Sequence, residues 1–268
     1  MCKDCSLRAS LTVDTQPEGE VMPAHQHYNT LLVLLSYVVS VLGSFTALQL
    51  AVAIPLARTM RQRLMAVLAA GAAMGVGGIW AMHFIAMLAC DMGMPVSYDA
   101  VLTALSAVIG FAACSLGLFI ASSGAFSWAK LAAAGICMGL GVTGMHYLGM
   151  AAVMMAAYAT YNMNLVAASL LIAIVASVVA LWLAFNLRGR IQMIGSALVM
   201  GLAVCGMHYT GMAAFNIDDD GGQLPAGFAS GMRGGNLGAS IFIVTVVLLA
   251  AALIIHYRRQ QRRAAISI

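Results

Sequence analysis

Charge is what this chain most lacks. Charged residues make up 8% of its 268 positions and hydrophobic ones 62%, whereas an ordinary soluble domain carries about 25% charged residues. That balance belongs to an integral membrane protein. No carboxylate falls inside an apolar run, and no Ser/His/Asp arrangement or phosphate loop is found, so general acid–base catalysis has no carrier and an enzyme is not expected. Lysine occurs only at Lys3 and Lys130, which removes the Schiff base a retinal protein needs on its last helix. The cysteines do not form a disulfide framework. Cys114, Cys137 and Cys205 lie in apolar runs, and Cys2 with Cys5 makes an isolated C-x-x-C at the extreme terminus. The first 27 residues are polar and lack the apolar core of a cleaved signal peptide, and Met22 is an alternative start.

What remains is long uncharged runs, and about 20 apolar residues suffice to cross a bilayer. Tyr28 to Ala57 is the first, and Leu64 to Cys90 follows the arginines at 58, 61 and 63. The third runs from Ala100 to about Ser122. The 57 residues between Lys130 and Arg188 carry no charge and are broken by Tyr158, Tyr161, Asn162 and Asn164, which makes them helices four and five. Helix six spans roughly Ile191 to Phe215. Helix seven follows the Gly-rich loop opened by Asp218, Asp219 and Asp220 and ends at His256 and Tyr257. The expected fold is all-α with seven transmembrane helices: a polar extracytoplasmic tail (1–27), the membrane domain (28–257) and a short basic cytoplasmic tail (258–268).

Cytoplasmic loops collect Lys and Arg. An N-out, C-in arrangement puts ten of the thirteen basic residues inside (Arg58, Arg61, Arg63, Lys130, Arg188, Arg190, Arg258, Arg259, Arg262, Arg263) and all nine acidic residues outside. The net charge of +4 then reflects the anionic inner leaflet and is no nucleic-acid signature.

Three of the inside-to-outside helices carry one motif each, M-H-[FY]-x-[AG]-M: Met82 to Met87, Met145 to Met150 and Met207 to Met212. A period of 62 to 63 residues marks a two-helix repeat, helices 2–3, 4–5 and 6–7, with helix 1 added. Equivalent positions share a depth, about 12 to 15 Å below the outer boundary at 1.5 Å per residue. His83, His146 and His208 therefore form one layer. The Met four residues after each His (Met87, Met150, Met212) falls on its face one turn outward. The preceding Met (Met82, Met145, Met207) turns toward a neighbouring helix, and the Gly or Ala between admits a close approach. Imidazole with thioether is a ligand set that suits copper, and thioether needs no deprotonation. Cys90 and Cys205 are accessory candidates, as are His25 and His27 above helix one. A single intramembrane His often serves only as a cross-bundle hydrogen bond and Met as gap filler, but three histidines in register with six methionines favour a shared site.

The motifs resemble those of the MHYT domain, a bacterial seven-helix membrane sensor module, and Met207-His208-Tyr209-Thr210 matches its name letter for letter. The resemblance covers the chain from about Tyr28 to Tyr257. It implies copper bound by the three histidines and their methionines, with Tyr147 and Tyr209 as supporting donors, and sensing of oxygen, carbon monoxide or nitric oxide at the bacterial cytoplasmic membrane. The first repeat departs at Phe84 and Ile85. Many family members carry a cytoplasmic output domain, whereas only eleven residues follow helix seven here, so a separate signalling partner or a homodimer is expected. Two other readings stay open. One is copper handling or transport, against which the inner half offers only the weaker layer of Met74, Met138 and Met200. The other is haem held by two of the histidines. Signalling needs a bistable element, for which Gly75-Val76-Gly77-Gly78 and Gly139-Leu140-Gly141 are the candidates.

Overall fold

The computed structural model describes residues 27–186, 189–218 and 223–266. Within them seven helices are long and apolar enough to cross a membrane. They are α1 (Thr30–Ala51), α2 (Met60–Ala89), α3 (Ala100–Ala121), α4 (Trp128–Ala151), α5 (Met163–Asn186), α6 (Arg190–Ala213) and α7 (Gly234–Ile266). The chain is an all-α, multi-pass membrane protein. The tail with Cys2, Cys5, Met22 and His25 lies outside the described residues, as do Arg188, Asp219 and Asp220. Helix α7 continues past Tyr257 to Ile266, so the basic segment read as a tail is helical. Its Arg, Gln and Ala residues are strong helix formers and nothing among them ends a helix.

Leu31, Val101, Leu171, Leu202 and Phe242 are each more than 60% exposed and face outward. Lipid leaves no hydrophobic force between helices, so close van der Waals packing of small residues holds them together. A Cβ placed on Gly43 would lie 2.3 Å from the Cα of Gly78, and one on Gly75 would lie 2.3 Å from the carbonyl oxygen of Gly110. These contacts draw α1 and α3 against α2. The stretch Ala73–Trp80 of α2 is π-helical, and the N–H of Ala81 bonds Val76 O, five residues back. The first of the two glycine runs named as candidate bistable elements, Gly75 to Gly78, is thus a π segment inside the most buried helix.

Helices α1 to α6 pack as a closed ring, each against the next and α6 against α1, while α7 lies outside on α2 and α1. At the motif end three short antiparallel pairs tie the ring: β1 (His27–Tyr28) with β2 (Cys90–Asp91), β3 (Ser97–Tyr98) with β4 (Val153–Met154), and β5 (Tyr158–Tyr161) with β6 (Phe215–Asp218). Behind each pair the same bond recurs: Asn29 N–H to Ala89 O at 2.8 Å, Asp99 N–H to Ala152 O at 2.8 Å, Asn162 N–H to Ala214 O at 2.9 Å. The same three residues cap α1, α3 and α5 through their side-chain oxygens. In space the hairpins so tied are α1–α2, α3–α4 and α5–α6. The sequence repeat cuts the same ring one helix later, and α1 fills the place that the second helix of its third unit would take.

At the opposite end, Arg63 donates to Phe119 O and Ser122 Oγ, both at 3.0 Å. Lys130 donates to the carbonyls of Ser123 and Ala125. Arg63 thus satisfies a carbonyl at the C-terminus of α3, where the helix dipole favours positive charge, and Lys130 those of the loop that follows.

Candidate metal centre

The three motif helices stop in register. α2 ends six residues after His83, and α4 and α6 end five residues after His146 and His208. The imidazoles therefore sit about 8 to 9 Å below the helix ends at 1.5 Å per residue, whereas the sequence spacing, counted on to Asp91 and Asp218, gives about 12 to 15 Å. The reason is that each helix unwinds into its β-strand before reaching those polar residues.

Geometry brings the three histidines to one point. His83 Nδ1 lies 3.1 Å from His146 Nδ1 and 3.1 Å from His208 Nδ1. The rings pack edge to face with centroids 4.9, 5.0 and 5.1 Å apart, and all three are at most 1% exposed. Among the described residues they form the one cluster of His, Cys, Asp or Glu close enough to share an ion. A metal bonded at about 2.0 Å to three nitrogens in one plane sets them about 3.5 Å apart, so these nitrogens stand close to coordination spacing. Mutual hydrogen bonding alone does not account for the cluster, because an imidazole Nδ1 carries either one proton or one lone pair and that of His83 faces two neighbours. Each Nε2 is buried without a protein partner. The donor set, three imidazoles with no carboxylate joining the cluster among the described residues, fits a soft or borderline metal.

The small residue in the motif has a more specific use than backbone approach. A Cβ on Gly149 would sit 2.4 Å from His83 Nε2, and one on Gly211 would sit 2.3 Å from His146 Nε2. Each glycine is the seat for the imidazole of the preceding repeat.

All six motif methionines are at most 2% exposed. Met87, Met150 and Met212 gather with Cys90, Met155 and Phe215 into a separate buried cluster on the strand side, with Met92 and Met94 packed against it. Met82, Met145 and Met207 belong to the main core, and Met145 faces Gly110 of α3, as helix geometry leads one to expect. Cys205 lies in that main core beside Ser36 of α1. His27 is exposed on β1, opposite Asp91. Tyr28 and Cys90 are hydrogen-bonded partners whose protons are held by burial: both the Tyr28 hydroxyl and the Cys90 thiol are raised above their ordinary values. Burial likewise pushes Tyr98 up to about 12.

Tyr147 and Tyr209 reach across to the next helix of the ring. Tyr147 Oη pairs with Ser169 Oγ at 2.8 Å and Tyr209 Oη with Ser36 Oγ at 3.3 Å. In the first repeat, where Phe84 has no hydroxyl, Trp80 Nε1 donates to the equivalent Ser106 Oγ at 3.1 Å. Their partners reveal a second repeat that the motif search missed: Tyr28-Asn29 with Ser36, Tyr98-Asp99 with Ser106, Tyr161-Asn162 with Ser169. The tyrosines of this set stack edge-on against the motif aromatics, Tyr28 on Tyr209, Tyr98 on Phe84 and Tyr161 on Tyr147. A search for Y-[ND]-x6-S finds it, at spacings of 70 and 63 residues.

Comparison with known proteins agrees with this threefold plan. The family model described as a bacterial signalling protein N-terminal repeat, MHYT, matches residues 77–134, 139–197 and 201–268. The chain is 39% identical over 229 residues to the bifunctional diguanylate cyclase/cyclic di-GMP phosphodiesterase MucR of Pseudomonas aeruginosa, covering 82% of this chain and 32% of that protein. It is 36% identical over 209 residues to the cyclic di-GMP phosphodiesterase NbdA of the same species, covering 75% and 25%. To the signalling protein YkoW of Bacillus subtilis it is 32% identical over 209 residues, covering 74% and 25%. The chain thus spans about a third or less of the length of these relatives. No solved structure matches it. Three matched repeats, each built on a motif histidine that meets the other two, make this chain a member of the MHYT family of bacterial membrane signalling proteins.

Proposed function

We propose that the chain is a membrane-embedded copper-binding sensory module that reports a diatomic gas (oxygen, carbon monoxide or nitric oxide) or redox state to a signalling protein. The observation that carries this is the meeting of three Nδ1 atoms, 3.1 Å from His83 to each of the others, with no acid joining them among the described residues. His83, His146 and His208 hold the metal, and Met87, Met150 and Met212 lie on its strand side as further sulfur donors. Copper contributes two accessible oxidation states and affinity for diatomic ligands. The protein's own part is to exclude water and tie each imidazole to a different hairpin, so that a change in coordination is felt by α2, α4 and α6 together. The positive-inside distribution of Lys and Arg puts the strand end and the metal layer toward the periplasm and the C-terminus in the cytoplasm. Because two of the named relatives make or degrade cyclic di-GMP, we assign the output to an enzyme of that class.

Copper handling is the second reading, favoured by the sulfur-rich cluster that covers the imidazoles. Haem fits less well, because a macrocycle between two of these histidines would have to part rings whose centroids are about 5 Å apart. The test is metal analysis and X-ray absorption of the purified protein, with His146→Ala and His208→Ala compared to wild type. Copper near one equivalent at the imidazoles, lost in both variants, is the expected result; unchanged stoichiometry overturns the site. Cellular cyclic di-GMP that responds to oxygen or copper only when the histidines are intact separates sensing from handling.

A further inference from the structure

A second set of equivalent soft ligands lies on the axis of the ring. Met74, Met138 and Met200 precede His83, His146 and His208 by nine, eight and eight residues, and they are 5%, 3% and 6% exposed. All three line two apolar cavities of about 20 Å³ each. The cavity on the imidazole side is also bounded by Ile79, Val142, Val204 and Met207. Ala51, Leu118 and Leu181 bound the one toward the basic end. The thioethers therefore stand between the two, about 12 Å deeper than the imidazoles at 1.5 Å per residue.

The unequal spacing strengthens the equivalence. In a plain α-helix, nine residues in place of eight would turn Met74 about 100° away from the positions of Met138 and Met200. Between Met74 and His83, however, the chain is π-helical, and a π turn takes one residue more than an α turn. The inserted residue fits nine into the span of eight and returns Met74 to the layer. Gap filling explains why methionines are buried, but it does not call for a helix defect that keeps three of them in register.

We propose that Met74, Met138 and Met200 form a second, thioether-only site for a soft monovalent metal ion, Cu(I), on the axis below the imidazoles. Thioether sulfur suits Cu(I) and binds it without losing a proton. Ser44 Oγ donates to Met74 Sδ at 3.7 Å, which leaves that sulfur a free lone pair. Thioether is a weaker donor than imidazole, and Met74 shares its sulfur with Ser44, so this site is weaker than the imidazole centre and exchanges faster. The proposal rests on the copper reading above, and it restores the through-axis route that the sequence alone argued against.

The experiment is anaerobic titration of the full chain in detergent with Cu(I), against a chromophoric chelator, with Ag(I) as a parallel probe and X-ray absorption to count nitrogen and sulfur neighbours. Wild type is expected to take up two ions. The Met74→Leu/Met138→Leu/Met200→Leu variant, near wild type in volume, takes up one and keeps a nitrogen-containing shell. Met138→Leu alone weakens the second ion tenfold or more. His146→Ala/His208→Ala retains one ion with a sulfur-only shell. A methionine variant that binds as many ions as wild type, or a wild type with a single ion lost only on histidine substitution, overturns the inner site and leaves the imidazole centre standing. Wild type that takes up neither Cu(I) nor Ag(I) overturns both.

Discussion

Two glycines decide whether the imidazoles can meet. Gly149→Ala and Gly211→Ala would each place a methyl group where a neighbouring ring nitrogen now lies, and overpacking of this kind costs about 1 to 3 kcal/mol. Both variants are expected to lose bound metal although no ligand is removed, whereas Gly144→Ala, where a Cβ meets nothing within 4 Å, leaves it unchanged; metal content per folded chain checks this. At the same scale, the Cys90 thiol is raised by burial, so it stays protonated at neutral pH. Its alkylation is expected to be slower than that of a free thiol and to rise with pH beyond the point where an ordinary cysteine levels off, measured as a rate profile with an iodoacetamide reagent. The histidines were legible in the sequence because they repeat. The role of Gly149 and Gly211 was not, since spacing on one helix says which face a residue occupies and nothing about which ring from another helix lands there.

Among elements, the ring depends on three cross-helix bonds of one kind. Tyr209→Phe or Ser169→Ala removes one of them and is expected to destabilise the bundle by about 0.6 to 1 kcal/mol, the usual worth of an intramembrane hydrogen bond. Trp80→Phe is expected to cost more than either, because its Nε1 serves both Thr103 O and Ser106 Oγ; thermal unfolding in detergent ranks the three. Seven helices and their approximate ends followed from charge and apolar length alone. The phase of the repeat in space did not, because the Tyr-Asn/Asp-Ser set is spread over short turns and helix starts, and its tyrosines and asparagines read simply as polar breaks between spans. The π segment was equally hidden: the glycines at 75, 77 and 78 announce close packing, but the extra residue shows only when Met74 is counted against Met138 and Met200.

For the molecule as a whole, orientation and closure are the testable properties. Reporter fusions after residues 94, 125 and 266 are expected to place the first outside and the other two inside, following the basic residues. Closure requires α1, which completes the ring between α6 and α2, so a fragment beginning at residue 77, where the family match starts, is expected to neither fold stably nor bind metal, as read by detergent gel filtration and metal content. The meeting of His83 with His208 joins positions 125 residues apart, and contacts of such separation form late because loop closure must precede them. During synthesis the first imidazole enters the membrane long before the last has been translated. The centre is therefore absent from every partially inserted chain, and on the copper reading proposed above a bound ion would mark completed assembly of the three hairpins.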